Sequence, residues 1–133
     1  MLMWVTGRKV QIAEFLITLK EPVPQPNKHE SKEWWLGSCD RTHAEELLRK
    51  TKADGAFLVR PSEHEPNCYA ISFRTEKEIK HCRVRQEGRL YGMGSVKFES
   101  LVELVAYYEK NPLYKKVKLW FPVNDEIVQR IVA

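Results

Sequence analysis

The stretch Gly55-Ala56-Phe57-Leu58-Val59-Arg60-Pro61-Ser62 most narrows what this chain can fold into: an apolar run that stops abruptly at an arginine and a polar loop. Opened by the Asp54-Gly55 turn and too short for a helix, it reads as a buried central strand. Arg60 then starts inside the fold. A guanidinium is almost never fully buried without a partner, and the strand holds nothing acidic, so the missing anion is expected from a ligand.

How much fold surrounds that strand depends on size. With 133 residues, 43% hydrophobic and 30% charged, the chain has room for one cored domain and one small appendage. A net charge of +4 and a pI near 9.0 suit an acidic partner. The 18 acidic side chains interspersed among 22 basic ones weaken a nucleic-acid reading. Cys39, Cys68 and Cys82 are an odd set with no repeated spacing and no secretory signal beside them, which points to a reduced, cytoplasmic protein. The apolar start Met1–Val5 is too short for a signal core, and Arg8, Lys9, Glu14 and Lys20 interrupt the next stretch, so no membrane span is expected.

Val10 to Leu19 alternates loosely, with Phe15, Ile17 and Leu19 on one face, and predicts a half-buried strand without a local partner. Glu21 to Lys32 holds three prolines and reads as an extended, polyproline-like spacer. The expected organisation is an N-terminal extension and linker over 1–33, a cored domain over 34–125 and a tail over 126–133. Within the domain, Asp40 caps a helix that buries Ala44, Leu47 and Leu48. Arg41 sits in its first turn, where the helix dipole prefers acid, a mild misfit that an anionic ligand explains as well as a solvated surface position does.

After the Gly55–Arg60 strand, the loop Pro61–Asn67 leads into the β-rich run Cys68–Arg74, an antiparallel hairpin. A third strand, Ile79–Arg85, puts His81, Arg83 and Arg85 on one face and Lys80, Cys82 and Val84 on the other. Gly88, Gly92 and Gly94 mark turns, and Ser100-Leu101-Val102-Glu103 is a capping box for a helix with Leu101, Val102, Val105 and Tyr108 inside. That helix should stop at Asn111-Pro112, before a Lys-rich loop and a short strand from Val117 to Phe121. The fold class is α+β, a small central antiparallel sheet flanked by two helices.

Arg60 and Ser62 at the strand end, Arg41 on the preceding helix, and His81 with Arg83 on a neighbouring strand can meet at one site. Two or more guanidiniums with loop N–H groups make a dianion pocket, and phosphate, with its three acceptor oxygens, is the favoured anion. Arg83 over an aromatic ring would favour phosphate carried on tyrosine.

The segments Trp34-Trp35, Arg41, Gly55–Arg60, Tyr69–Phe73, Lys80–Val84 and Phe98–Tyr108 resemble, in order and spacing, the Src homology 2 domain, over roughly Trp34 to Val123. Glu21–Gln25, His29–Trp34 and Tyr107–Tyr114 resemble more narrowly the second such domain of the gamma-class phosphoinositide phospholipases C. The resemblance implies Arg60 as the bidentate phosphate ligand, Arg41 as the second arginine, and Ser62 with the Glu63 and His64 backbone as the phosphate loop. It sets His81 and Arg83 beside the tyrosine ring. His81 taken by itself reads first as a structural residue hydrogen-bonded within the sheet. Pro61 and Ser62 stand where the phospholipase pattern has basic residues, and Pro61 has no N–H to give, which implies lowered affinity.

Cys82, on the face opposite His81 and Arg83, is expected to floor a groove for the residues after the phosphotyrosine. Leu90, Met93, Gly94, Leu113 and Tyr114 would bound that groove, which favours aliphatic side chains; the plainer reading of Cys82 is a small core residue. The resemblance implies tyrosine-phosphorylated receptors or adaptors as partners, or a phosphotyrosine of the same parent folding back. It further implies a monomeric module, no cofactor, and recruitment from the cytoplasm to the plasma membrane. The parent would be the enzyme, since nothing here is long enough for a barrel of about 250 residues.

Other classes fit less well. Cys82 and His81 as a nucleophile and base point to opposite strand faces and cannot meet. Of Cys39, His43, Cys68 and Cys82, only the first two have zinc-ligand spacing. Nucleic-acid binding through Lys80, Arg83, Arg85, Arg89 and the Lys115, Lys116 and Lys118 cluster lacks an aromatic platform. Weak contact of the Lys115–Lys118 loop with anionic lipid head groups is the remaining alternative.

Overall fold

The computed structural model describes residues 2–5, 8–11 and 28–132. Leu2–Val5 (β1) and Arg8–Gln11 (β2) form an antiparallel pair with Leu2 opposite Gln11. The rest of the strand expected over Val10 to Leu19, and the proline-rich spacer as far as Asn27, lie outside the described residues.

The buried run becomes β3 (Ala56–Pro61), flanked in a second sheet by β4 (Cys68–Arg74), β5 (Ile79–Glu87), β6 (Leu90–Met93), β7 (Val96–Phe98) and β8 (Phe121–Pro122). Spatial order is β7-β6-β5-β4-β3-β8. Gly55 opens β3 at a φ of 80°, and a Cβ there would lie 2.8 Å from the Lys118 carbonyl oxygen, so the turn that starts the strand requires glycine.

Side-chain alternation divides the sheet into two packed faces. Phe57 and Val59, Ile71 and Phe73, and Val84 lie under α2 (Leu101–Lys110), whose Leu101, Leu104, Val105 and Tyr108 complete that core. Ala56 and Leu58 face α1 (Arg41–Thr51), packing with Ala44, Leu47 and Leu48. Both helices begin at the capping residues expected from sequence. The Asp40 carboxylate accepts the His43 N–H at 2.8 Å, and Ser100 Oγ accepts the Glu103 N–H at 3.0 Å. The reciprocal arm of the Ser100 box is displaced by one residue, Glu103 accepting from Glu99 N–H at 3.2 Å. Arg74 closes the far end of α1 by donating to the Leu48 and Arg49 carbonyls at 3.0 and 3.2 Å.

Two features depart from the expectation of an antiparallel sheet between two helices. The sheet is mixed: β8 runs parallel to β3, with Ala56 beside Phe121 and Phe57 beside Pro122. Of the strand expected from Val117 to Phe121, only Phe121 belongs to β8, and Val117 makes an isolated bridge to Tyr114. The cause is Leu119, which is buried and gives its N–H to the Tyr108 carbonyl at 2.9 Å, drawing the chain under the end of α2 before it reaches β3. The second departure is α3 (Asp125–Val132), in place of the expected tail. Asn124 Oδ1 accepts the Ile127 N–H at 2.8 Å, Asp125 and Glu126 suit the positive helix end, and Val128 is buried in the α1-side core. Among the described residues no helix is long and apolar enough to cross a membrane.

Candidate functional site

Register decides what shares the α1 face of the sheet. Arg60 lies opposite Ala70, which lies opposite Arg83; one row further along, Leu58, Ser72 and His81 line up. Pairing on adjacent strands thus sets the two arginines on either side of an alanine too small to fill the space between them.

Arg60 is 4% exposed. Its Nε–H donates to Ser72 Oγ at 3.2 Å, Nη2 stands 3.4 Å from His81 Nδ1, and Nη1 stands 3.9 Å from Glu63 Oε1. Burial lowers its pKa below the ordinary guanidinium value, with Cys39 and Glu63 opposing the shift. The arginine the sequence expected to be unpartnered is therefore held by a hydroxyl and an imidazole, with a carboxylate at longer range.

His81 is the second organising side chain. The Glu45 carboxylate can only accept, so the neutral imidazole carries its hydrogen on Nε2 and gives it to Glu45 Oε1 at 3.0 Å; Nδ1 then accepts the Ser72 hydroxyl proton at 2.7 Å, while Ser72 Oγ receives the Arg60 Nε–H. Burial lowers the His81 pKa, which keeps the ring neutral near pH 7; the Glu45 hydrogen bond opposes that shift, and Arg41 and Arg60 add to it.

The rim is charged and open. Arg41, 64% exposed at its side chain, places Nε 3.5 Å from Glu45 Oε1, while Arg83 donates from Nη1 to Glu65 Oε1 at 2.6 Å. That Arg83 contact holds the Glu65 carboxyl below the usual carboxylate range. In the loop, Ser62 Oγ accepts long hydrogen bonds from His64 N–H at 3.4 Å and Glu65 N–H at 3.3 Å, and the Ser62 N–H closes the hairpin on the Cys68 carbonyl at 2.8 Å.

Arg41, Arg60, Ser62, Glu63, His64, His81 and Arg83, all nominated from sequence, line one cleft of about 230 Å³, together with Tyr69, Ala70 and Cys82. A larger cleft of about 540 Å³ surrounds Trp120 at the start of β3, but its lining mixes Lys116 and Lys118 with Asp54, Glu76 and Glu109. Convergent chemistry, more than size, singles out the first. Sequence reasoning missed Ser72, Glu45 and the Glu63 carboxylate; writing out the β4–β5 register would have set Ser72 beside His81.

The nominated groove is only partly assembled. Cys82, Met93, Leu113 and Tyr114 pack along the edge of the α2-side core. Burial raises the Cys82 thiol pKa, so the thiolate is scarce. Leu90 and Gly94 do not join them: both line a separate cleft of about 240 Å³ with Arg83, Arg85, Glu87, Gly92 and Lys97. Leu90 is three residues from Met93 on β6, an odd separation that sends the two to opposite faces.

A family model described as SH2 domain matches residues 34–108. The chain belongs to the SH2 domain family. Members of the family bind phosphotyrosine-containing partners. This SH2 domain is 48% identical over 122 residues, 91% of its length, to 1-phosphatidylinositol 4,5-bisphosphate phosphodiesterase gamma-2 of Homo sapiens. It is 32% identical over 130 residues, 98% of its length, to 1-phosphatidylinositol 4,5-bisphosphate phosphodiesterase gamma plc-3 of Caenorhabditis elegans. Over 94 residues, 71% of its length, it is 35% identical to the SH2/SH3 adapter protein dreadlocks of Drosophila melanogaster, of which it covers 17%. The chain spans about 10% of the length of the two phosphodiesterases, so it corresponds to their SH2 portion alone.

Proposed function

We propose that this SH2 domain recognises phosphotyrosine peptides in tyrosine-kinase signalling as part of a gamma-class phospholipase C, recruiting or restraining that enzyme. One observation carries the reading: Arg60, 4% exposed, lies on a cleft wall with its guanidinium held by Ser72 and His81. A buried planar fork oriented in advance suits a phosphate dianion, and the Ala70 gap between Arg60 and Arg83 suits the ring that carries it. Arg41, Ser62, and the Glu63 and His64 backbone complete the phosphate end; His81 acts by holding Arg60.

The residues after the phosphotyrosine would run over Cys82 towards Met93, Leu113 and Tyr114, an apolar surface that favours aliphatic side chains. The partner is a tyrosine-phosphorylated receptor or adaptor, or a phosphotyrosine of the parent, met in the cytoplasm and at the plasma membrane. Calorimetric titration with phosphotyrosine, unphosphorylated and phosphoserine versions of one peptide tests this. Only the first should bind, and Arg60→Lys should weaken it by about 2–4 kcal/mol. Equal binding of all three, or wild-type affinity in the variant, would reject the reading.

A second reading rests on Trp120, 79% exposed beside Lys116 and Lys118, an arrangement suited to an anionic lipid surface. The acids Asp54, Glu76 and Glu109 on the same cleft oppose it. Vesicle sedimentation with and without phosphatidylserine distinguishes the two.

A further inference from the structure

A buried cation in the free domain needs a counter-charge, and the phosphate loop contains one. Glu63 Oε1 accepts the Arg41 backbone N–H at 2.6 Å, at the first residue of α1, and the same oxygen stands 3.9 Å from Arg60 Nη1. Arg60 gives its single Nε–H to Ser72, and Nη2 stands 3.4 Å from His81 Nδ1, whose lone pair already takes the Ser72 hydroxyl at 2.7 Å. Each Nη carries two hydrogens, so the Nη1–Nη2 fork keeps N–H groups for an incoming anion, and its Nη1 arm is the one that faces Glu63. A single carboxylate oxygen thus sits between the positive end of a helix and the free corner of the buried guanidinium.

The contact is built to yield. At 3.9 Å it is an ion pair without a hydrogen bond, and the Glu63 side chain is 38% exposed, so the carboxylate can leave for water without being stranded. The loop that carries it is held by Ser62 Oγ through two long bonds, 3.4 Å to His64 N–H and 3.3 Å to Glu65 N–H.

We propose that the Glu63 carboxylate is a resident stand-in for the ligand's phosphate, an internal competitor that must move aside on binding and so sets the affinity of the site. The proposal rests on the phosphotyrosine reading and adds a consequence to it. A dianion with three acceptor oxygens outcompetes one carboxylate at Arg60, whereas a monoanion gains little by replacing it. The backbone of Glu63 keeps its part in the loop; the side chain works against binding.

The probe is phenyl phosphate, followed by NMR titration of the wild-type domain, Glu63→Gln and Glu63→Ala, with thermal melts of all three. Glu63→Gln keeps an oxygen for the Arg41 N–H and removes only the charge; Glu63→Ala removes both. Both variants should bind phenyl phosphate about 3- to 10-fold more tightly than wild type, the gain expected from lifting one partly screened like charge. Unchanged or weaker binding in variants that melt as folded proteins would overturn the competitor role, because Glu63 would then be organising the loop. If one variant fails to fold, the other decides on the same criterion. No binding by any of the three proteins would overturn the proposed function itself and the competitor role with it.

Discussion

Ser72 Oγ and His81 Nδ1 lie 2.7 Å apart across β4 and β5, and the direction of their hydrogen bond is fixed from the far side of the ring, where the Glu45 carboxylate takes the Nε2 hydrogen at 3.0 Å and leaves Nδ1 to accept; the Ser72 oxygen receives the Arg60 Nε–H at 3.2 Å. One hydroxyl therefore holds a buried guanidinium through its oxygen and the imidazole through its proton. Glu45 finishes the chain by accepting from His81 Nε2, so α1 is tied to the sheet through the same series of bonds.

Ser72→Ala removes the centre of that series. The Arg60 Nε–H is left without a partner in a buried setting, and His81 Nδ1 keeps only the long 3.4 Å contact from Arg60 Nη2. Stability should fall by about 1–3 kcal/mol, the cost of unpaired buried polar groups. Phosphotyrosine-peptide affinity should fall too, since Arg60 is no longer held in one rotamer. Urea denaturation beside peptide titration reads both; loss of stability with undiminished affinity would show that Arg60 is oriented by its own packing.

The same geometry predicts how stability depends on pH. Burial holds the His81 pKa below its ordinary value of 6.5, so between the native and unfolded pKa values the unfolded chain binds more protons than the folded one. Stability is then full above pH 6.5 and falls as pH drops below it. His29, also lowered by burial, contributes with the same sign, so His81→Asn should reduce the slope without abolishing it. Glu45, lowered chiefly by its hydrogen bond from His81, adds a further loss only as pH falls below 4.5. Urea midpoints at about pH 7.5 and 5.5 for wild type and His81→Asn check this, with an unaltered difference between the two pH values as the contrary result.

Much of the fold and the site is legible in the sequence, for reasons that local physics supplies. A short apolar run closed by arginine needs no tertiary information to be read as a strand, and Asp40 and Ser100 announce helix starts through their own side chains. Period-two alternation alone puts His81 and Arg83 on one face and Cys82 on the other. Partners contributed from far along the chain are not legible. Parallel pairing of β8 with β3 depends on Leu119 finding a place beneath α2, and Ser72 meets His81 only once the β4–β5 register is set. Leu90 and Met93 are both expected at the groove, yet strand parity separates the two. The α3 signal is present in Asn124, Asp125 and Glu126, but a short apolar stripe is ambiguous until Val128 has a core to enter.

Val128 tests whether α3 is part of the folded unit. It is 3% exposed and packs with Leu36, Leu47, Leu58 and Val123, whereas Ile131, one turn on, is 45% exposed. Val128→Ala should cost about 1–3 kcal/mol, and Ile131→Ala should stay within roughly 0.5 kcal/mol of wild type. Equal effects in thermal or urea melts would mean that α3 contributes nothing specific to the core.

Cys82 carries the remaining prediction, on selectivity. It sits on β5 opposite Ile71, on the face away from Arg60, and packs at the edge of the core shared by Met93, Leu113 and Tyr114. Its small side chain leaves that apolar surface accessible, and each aliphatic residue a peptide buries there should contribute about 1.5–3 kcal/mol before ordering costs. Cys82→Tyr adds a ring on this face and none on the other. Peptides with aliphatic residues at the first and third positions after the phosphotyrosine should lose their advantage over polar ones, while the requirement for phosphotyrosine, which depends on Arg60, stays intact. A ranked phosphotyrosine-peptide array against wild type and variant measures the change. An unchanged ranking in a folded variant would place selectivity in the loops, because the strand position would then have been altered without any consequence for what binds.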